Sequence, residues 1–273
     1  MVSDQSQAPA GGARLAGYFN TESVRTGDQS VSAWINVRDE LCDESGALRT
    51  GPILYTIDMG TGLAMGLAVV ADDRWVVTTD MDVRVTTPVT TGPLRVDAEV
   101  LRAGATTVVS AFTLHDEGAG RAVGGGTCTG RPFPISFDRK FLEIPVGERR
   151  THAPVSEPSH EAMAAVLGFR LAEGGAAEVD IDDWLRNPWG IMHGGVTSCL
   201  ADLSAAAAGS SALGRPGRVV GTTIRFLAPG RAGPARAIPR VLAADADSAL
   251  VEVRVTDEGS NGRLLAVTSS TIA

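Results

Sequence analysis

One stretch in the second half of the chain holds side chains whose types and spacing could support chemistry on a carbonyl group. It contains Asn187, then His193-Gly194-Gly195, and then Asp202 within an alanine-rich run. Apolar residues after the glycine pair recur at the spacing of one helical face, so a helix is predicted to begin near Gly194 and to carry Asp202 about two turns further on. Glycines at a helix start let a ligand approach the backbone closely, and the free N–H groups there carry partial positive charge. Such a site would suit a polarised carbonyl oxygen.

This stretch resembles the hotdog-fold acyl-CoA thioesterases, in particular the phenylacetate-pathway (PaaI-like) branch. The pattern of that family is an Asn, a His-Gly-Gly six residues later, and an Asp or Glu nine residues after the His; Asn187, His193 and Asp202 meet all three positions. The likeness continues through 219–233, which is similar to the family's next strand and Pro-x-x-x-Gly turn. The resemblance implies an α+β fold in which a long antiparallel sheet wraps a central helix.

Composition restricts the classes of partner. The chain has 273 residues, of which 44% are hydrophobic, and is long enough for one large globular domain or two ordinary ones. A net charge of −8 argues against nucleic acid and against an anionic membrane surface as partners. No apolar run reaches membrane-spanning length, and residues 1–16 lack the charged and apolar regions of a secretory signal, so they are predicted to form a disordered tail.

The cysteines and histidines bear on compartment and cofactors. Cys42, Cys128 and Cys199 are widely spaced and odd in number, which gives neither a disulfide framework nor a zinc pattern. This fits a reducing compartment, and a cytoplasmic location is expected. The four histidines show no metal-ligand spacing, so neither a metal nor a cofactor is expected, apart from coenzyme A as part of the substrate.

The chain also reads as two copies of one unit. Gly51 precedes Asp58 by seven residues, as Gly195 precedes Asp202, and the two segments are offset by 144 positions. Further matches at an offset of 141 are Pro88 with Pro229, Val100-Leu101 with Val241-Leu242, and Asp116-Glu-Gly118 with Asp257-Glu-Gly259. A three-residue difference in one loop accounts for the change of offset. Each copy is predicted to contain a helix followed by antiparallel strands.

Two such units would form a double hotdog, with the two sheets joined edge to edge as a pseudo-dimer within one chain. We expect a first hotdog domain over 17–130, a proline-rich linker over 131–159 and a second hotdog domain over 160–273. Further homo-oligomerisation is also expected. Strands are predicted over 75–85, 94–101, 106–115 and 121–129, and over 218–227, 235–242, 249–256 and 264–272.

In single-hotdog relatives each site straddles the dimer interface, with the Asn and His-Gly loop from one protomer and the carboxylate from the other. The resemblance therefore implies one site that combines Asn187 and the loop His193-Gly194-Gly195 with Asp58. It implies a second site that combines Asp202 with the first-half loop. There Asp43, Arg49 and Thr50 replace the Asn, His and Gly of the family, and of this stretch only Gly51 matches.

Several of these residues also have a structural interpretation. Asn187 could form a turn before Pro188, and His193 could hold the loop by hydrogen bonds rather than transfer a proton. Cys199 has nothing basic beside it in sequence, which favours a packed helix cysteine over a thiol nucleophile. Thr78 matches a strand position that often lines the site in relatives, or it is an ordinary β-branched strand residue.

Binding of coenzyme A by an acidic protein needs a local cluster of cations. Arg231 lies in the Pro-x-x-x-Gly turn, and Arg218 and Arg225 flank or lie on the strand before it. The equivalent turn of the first half, 88–92, has no basic residue. Coenzyme A is therefore predicted to bind near the turn of the second half and not near that of the first. The alternative is that these arginines are solvated loop charges.

The resemblance thus implies an acyl-CoA thioesterase with a backbone oxyanion site at the helix start and a carboxylate that acts as general base or nucleophile. Two alternatives stay open. One is a hotdog enoyl-CoA hydratase, although neither Asp58 nor Asp202 has the His partner five residues away that this branch uses. The other is a non-catalytic acyl-CoA-binding or regulatory module. The acyl group itself depends on the shape of the tunnel between the halves.

Overall fold

The computed structural model describes residues 10–136, 145–151 and 161–273. The helices are α1 (Ala10–Phe19), α2 (Thr50–Leu67), α3 (Met163–Leu167) and α4 (Gly194–Leu213). The strands are β1 (Glu22–Arg25), β2 (Ser30–Ile35), β3 (Arg74–Val85), β4 (Leu94–Ala103), β5 (Val108–Asp116), β6 (Arg121–Pro134), β7 (Arg149–Thr151), β8 (Arg170–Leu171), β9 (Ala177–Val179), β10 (Val219–Phe226), β11 (Ala235–Ala244), β12 (Ala249–Asp257) and β13 (Arg263–Ile272). None of the helices among these residues is long and apolar enough to cross a membrane.

All of these strands lie in one antiparallel sheet. Its order is β7-β1-β2-β4-β5-β6-β3-β10-β13-β12-β11-β9-β8, so each half of the chain supplies one side. The two sides meet where β3 pairs with β10, in a register that runs from Gly221 opposite Arg84 to Arg225 opposite Asp80. The predicted α+β class and the edge-to-edge junction are confirmed. Because the sheet is continuous, the exact domain boundaries stay a prediction.

The two long helices pack against the sheet and against each other. α2 contacts strands of the first half, and α4 contacts strands of the second half. α2 is apolar on nearly every side, as expected of a helix with neighbours all around it. Its buried Thr56 and Thr61 donate to the carbonyl oxygens of Pro52 and Ile57, at 2.9 and 2.7 Å, so neither hydroxyl is left unpaired. The predicted helix starts near Gly51 and Gly194 are confirmed.

The internal repeat is visible in the hydrogen bonds. The buried carboxylate of Asp116 accepts the backbone N–H groups of residues 90, 91 and 92. The buried carboxylate of Asp257 accepts those of residues 231, 232 and 233 in the same way. These bonds hold the pKa of both carboxyls below the usual range against the opposing effect of burial. The Pro-x-x-x-Gly turns of the two halves are therefore built identically.

The predicted tail requires a correction. Residues 10–16 are not disordered, because they belong to α1, whose Leu15 and Phe19 are fully buried. The spacing of these two residues places both on one face of a helix, which packs on the core. The Arg14 guanidinium lies 4.3 Å from the centre of the Trp184 ring. Residues 1–9 lie outside the described part of the chain.

The sequence also missed several short strands. β6 continues to Pro134, into the segment predicted as linker, and β7 pairs with β1. The rest of the predicted linker includes 137–144 and 152–160, which are outside the described residues. β1, β2, β8 and β9 were not predicted either. They are two to six residues long, too short for a clear alternation of polar and apolar side chains.

Candidate active site

A cavity of about 710 Å³ lies where the start of α4 meets the middle of α2. Both halves of the chain line it. From the first half come Asp58, Met59, Gly62, Leu63, Trp75, Val76, Val77, Thr78, Thr79, Arg131, Phe133 and Pro134. From the second half come Asn187, Pro188, Trp189, Ile191, Met192, His193, Gly194, Thr197, Phe226, Leu227, Ala228, Pro229, Gly230, Arg231 and Leu265. The size and the mostly apolar wall suit a small-molecule ligand.

The carboxylate of Asp58 is held at the wall of this cavity by donors from two other elements. Its Oδ1 accepts the hydroxyl of Thr78 on β3 at 2.8 Å. Its Oδ2 accepts the backbone N–H of Gly195, at the start of α4, at 2.9 Å. The residue is only 9% exposed. The predicted combination of Asp58 with the loop of the other half is therefore present, and Thr78 orients the carboxylate directly.

His193 caps α4 and faces the same carboxylate. Its Nδ1 accepts the N–H of Gly195 at 3.0 Å and lies 3.4 Å from Asp58 Oδ2. Burial lowers the pKa of the imidazole, and the nearby negative charge of Asp58 opposes this only in part. A neutral ring whose Nδ1 accepts a hydrogen bond carries its proton on Nε2. His193 thus holds the loop, as one of the two interpretations predicted, and it also lines the cavity.

The backbone N–H of Gly194 is the free donor at this helix start. Gly195 is committed to Asp58 and His193, whereas the described residues contain no hydrogen-bond acceptor for Gly194 N–H. Gly194 lines the cavity, and a Cβ placed on it would lie 3.0 Å from Asp58 Oδ2. Only glycine leaves room for a ligand between this N–H and the carboxylate.

Asn187 forms the turn that presents the loop. Its Oδ1 accepts the N–H groups of Trp189 and Ile191, at 3.0 and 3.4 Å. In the first-half loop, Asp43 Oδ1 accepts the N–H groups of Ser45 and Ala47 in the same arrangement, at 2.9 and 3.3 Å. The repeat of this turn supports the structural interpretation of Asn187. The side chain still lines the cavity, so a second role in binding stays a prediction.

The second predicted site repeats the hydrogen bond between carboxylate and helix start but is closed. Asp202 Oδ2 accepts the N–H of Gly51 at 2.8 Å, as Asp58 does with Gly195. Thr50 stands where Gly194 stands in the other half, and its hydroxyl is buried and donates to Val219 O at 2.7 Å. The space beside Asp202 has a volume of about 0 Å³, too small for a water molecule. The structure therefore gives no support to the prediction of Asp202 as a catalytic residue, because no cavity opens beside it.

The closed site has a consequence for stability. Burial raises the pKa of Asp202 to about 7, although the Gly51 N–H and Arg49 act in the opposite direction. An unfolded chain loses this proton near pH 4, so the folded state binds more protons than the unfolded state between about pH 4 and 7. Stability must fall as the pH rises through this window.

We therefore expect Asp202→Asn to have a higher Tm than the wild type at pH 8. At this pH the wild type must bury a charged carboxylate on folding, whereas the amide is neutral. The difference should shrink as the pH is lowered to about 4, where the wild-type carboxyl is protonated in both states. Thermal unfolding followed by circular dichroism at several pH values measures this. An equal difference at all pH values would contradict the assignment.

The predicted cationic cluster is only partly brought to the cavity. Arg231 lines it, but Arg218 and Arg225 do not. Arg218 pairs with Asp43 of the first-half loop at 3.3 Å, and Arg225 pairs with Asp80 across the β3–β10 junction at 3.0 Å. The prediction that these two bind substrate is not supported by the structure, since neither lines the cavity and each pairs with a carboxylate elsewhere.

The structure adds a residue that the sequence analysis missed. Arg131, near the end of β6, lines the cavity with Phe133, whose ring centre lies 5.3 Å from its guanidinium carbon. The described residues provide no carboxylate partner for either Arg131 or Arg231. Arg131 falls in the segment predicted as linker, and the only available signal was the continued run of β6 beyond Thr129.

Cys199 is fully buried, and burial raises the pKa of its thiol well above the ordinary value. A buried thiol that stays protonated is a poor nucleophile. The interpretation as a packed helix cysteine is therefore supported.

Part of the chain matches a known protein family in sequence. Residues 190–262, which include the His193 loop, α4 and three of the strands after it, match the family model described as the thioesterase superfamily. No curated protein matches the chain in sequence. The assignment to the PaaI-like branch therefore stays a prediction.

Solved structures with the same fold are distant in sequence. A tesB protein from Mycobacterium avium subs paratuberculosis aligns at a TM-score of 0.62 and 12% identity, over 97% of this chain and 98% of that one. An acyl-ACP thioesterase from Bacteroides thetaiotaomicron aligns at 0.57 and 11%, over 90% and 98%. The 12:0-ACP thioesterase from Umbellularia californica aligns at 0.59 and 9%, over 89% and 94%. The chain thus matches the thioesterase superfamily model over residues 190–262, and it shares its fold with these solved structures over nearly its whole length.

Proposed function

We propose that this protein hydrolyses an acyl-CoA thioester to a free acid and coenzyme A, in one site per chain. The observation that carries the proposal is the position of the Asp58 carboxylate on the wall of an open cavity, beside the free N–H of Gly194. A thioester carbonyl that accepts the Gly194 N–H would have its carbon within reach of Asp58 or of a water bound to it. The opposite site is closed and contributes no second turnover.

The described residues can supply each role that this reaction needs. The N–H of Gly194, at the positive end of α4, stabilises the oxyanion that forms when the carbonyl is attacked. Asp58 either takes a proton from the attacking water or attacks the carbon itself. In the first case water forms the new C–O bond and the C–S bond breaks. In the second, Asp58 forms an anhydride with the acyl group as the C–S bond breaks, and water then hydrolyses this anhydride to release the acid and regenerate Asp58. In both cases one proton from water ends on the sulfur of the leaving thiol, and His193 lines the cavity in which this takes place.

The lining of the cavity contains both apolar and cationic side chains. The apolar ones suit the acyl group: Met59, Leu63, Trp75, Val76, Phe226 and Leu265. The cationic ones, Arg131 and Arg231, come from opposite halves of the chain. This arrangement fits a thioester with an apolar acyl end and an anionic carrier end.

Release of free thiol from a panel of acyl-CoA substrates, followed with a thiol reagent, tests the activity. Hydrolysis that is lost in Asp58→Asn supports the proposal. Thermal stabilisation by acyl-CoA without thiol release would instead indicate a binding module, and loss of enoyl absorbance would indicate a hydratase. Self-association stays a prediction, which light scattering tests.

The carrier end of the substrate leads to a further expected result. Arg131→Ala and Arg231→Ala should each raise the KM for acyl-CoA several-fold and leave kcat nearly unchanged, because the phosphates lose a cationic partner that takes no part in the attack on the carbonyl carbon. The effect should shrink for an acyl-pantetheine, which lacks the nucleotide.

Arg225→Ala is the matched control, since Arg225 pairs with Asp80 and does not line the cavity. It should not change the KM for either substrate. If the Arg131 and Arg231 variants behave like the wild type with both substrates, the nucleotide binds elsewhere.

A further inference from the structure

A column of aromatic rings runs from the N-terminal helix to the active-site histidine. The ring of Phe19, the last residue of α1, stacks on Tyr55 of α2 with a centroid distance of 4.0 Å and an angle of 21° between the ring planes. Tyr55 in turn lies against His193, at 5.3 Å and 31°. We call Phe19, Tyr55 and His193 the aromatic column. Phe19 and Tyr55 are buried, at 0% and 3% exposed.

The closed half of the molecule has no such column. Tyr55 lies three residues before Asp58, and the residue three before Asp202 is Cys199. The two occupy equivalent places beneath the opposing helix start: a Cβ on Gly195 would lie 2.6 Å from Tyr55 Cδ2, and one on Gly51 would lie 3.4 Å from Cys199 Sγ. The loop above Tyr55 carries the imidazole, and the loop above Cys199 carries Arg49 instead. The ring is thus present only on the side where the cavity is open.

The column acts on the imidazole through packing alone. Tyr55 covers one face of the His193 ring, so the ring cannot tilt away from the Gly195 N–H without losing this contact. The charged group that faces the imidazole is Asp58, and the other titratable side chain against it is Tyr55, whose pKa burial raises. Burial is the larger of the two effects on the His193 pKa, so removing the cover must alter it.

We propose that Phe19 and Tyr55 are positioning residues of the active site, which hold His193 in register with Asp58, so that helix α1 is a functional part of the site. The expected change in turnover rests on the proposed function, whereas the expected change in the His193 titration does not. Neither residue touches the substrate cavity, since neither belongs to its lining. Their contribution must therefore appear in turnover and not in substrate affinity.

The test compares Tyr55→Leu with Tyr55→Phe and Cys199→Ala. Tyr55→Leu removes the ring and keeps an apolar side chain; it should lower kcat by about tenfold with little change in KM, as expected for a small misplacement of a reacting group. NMR titration of the His193 ring should show its pKa rising toward the ordinary value, and the acid limb of the kcat–pH profile should move to higher pH in the same variant.

Tyr55→Phe keeps the ring and should retain both wild-type properties. Cys199→Ala alters the equivalent position of the closed half and should change neither.

A folded Tyr55→Leu with the wild-type His193 titration and the wild-type kcat–pH profile would overturn the proposal. Phe19→Leu is the second variant in case Tyr55→Leu does not fold, and the same shifts in smaller size are expected from it. If the wild-type protein releases no thiol from any substrate, the proposed function fails. The His193 titration still decides on the column, because it needs no turnover.

Discussion

Asp58→Asn should lower the turnover of acyl-CoA by at least about 100-fold, the typical contribution of a positioned general base. The amide keeps an oxygen that can accept the Gly195 N–H, so the start of α4 stays in place. It carries no negative charge and cannot take a proton from water or attack a carbonyl carbon. The KM should change little, because the acyl and nucleotide contacts are made elsewhere in the cavity. Steady-state thiol release at neutral pH measures both constants.

Asp202→Asn is the matched control for this variant. Asp202 makes the equivalent hydrogen bond to Gly51, but the space beside it admits no water. Turnover should therefore stay at the wild-type level, at temperatures below the Tm of both proteins. A silent Asp58→Asn together with an inactive Asp202→Asn would reverse the assignment and place the reaction beside the Thr50 loop.

Gly195→Ala is the second change with a large expected effect. Its Cβ would lie 2.6 Å from Tyr55 Cδ2 and 3.1 Å from Tyr55 Cα. The ring of Tyr55 is held between Phe19 and His193, and a Cα atom cannot move without its helix, so α2 and α4 must separate. A displacement of about 1 Å between reacting groups can cost about 100-fold in rate. We expect a fall of this size in kcat/KM together with a lower Tm.

Gly51→Ala makes the equivalent change in the closed half. The nearest atoms to its Cβ would be Asp202 Oδ2 and Cys199 Cα, both at 3.3 Å, so the neighbours need to yield by only a few tenths of an ångström. Activity should stay near the wild-type level, with a smaller loss of Tm than in Gly195→Ala. Equal losses of activity in the two variants would show that the helix contact matters only for folding. The pair thus separates the active helix start from the inactive one.

Much of the fold could be predicted from the sequence because its signals are local. Strands such as β12 alternate polar and apolar side chains, and α4 repeats its apolar residues at a helical spacing, so such elements can be recognised within a short segment of sequence. The repeat showed which elements of the two halves are equivalent, since Asp58 and Asp202 each lie seven residues after a glycine. Helix α1 was missed because only its last turns are apolar, and its contacts are with distant parts of the chain, such as Tyr55 and Trp184.

The site divides in the same way. The sequence indicated Asp58, His193 and Gly194 as candidate site residues, and the resemblance to a family implied that they meet across the pseudo-dimer interface. The sequence did not indicate that Thr78 bonds to Asp58, that Arg131 reaches the cavity, or that Arg218 and Arg225 are taken up by Asp43 and Asp80. Each of these is a contact between strands or loops that no local pattern records.

The closure of one half was decided only in three dimensions. Asp202 follows the intact His-Gly-Gly by nine residues, and the resemblance implied that this motif combines with Asp58 instead. In the structure the start of α4 does bond to Asp58, since the helices pack with their N-termini against each other's middle. The spacing of residues along a chain determines which helix face a carboxylate occupies. Which cavity that face borders, and whether Thr50 closes it, depends on how α2 and α4 pack within the shared sheet.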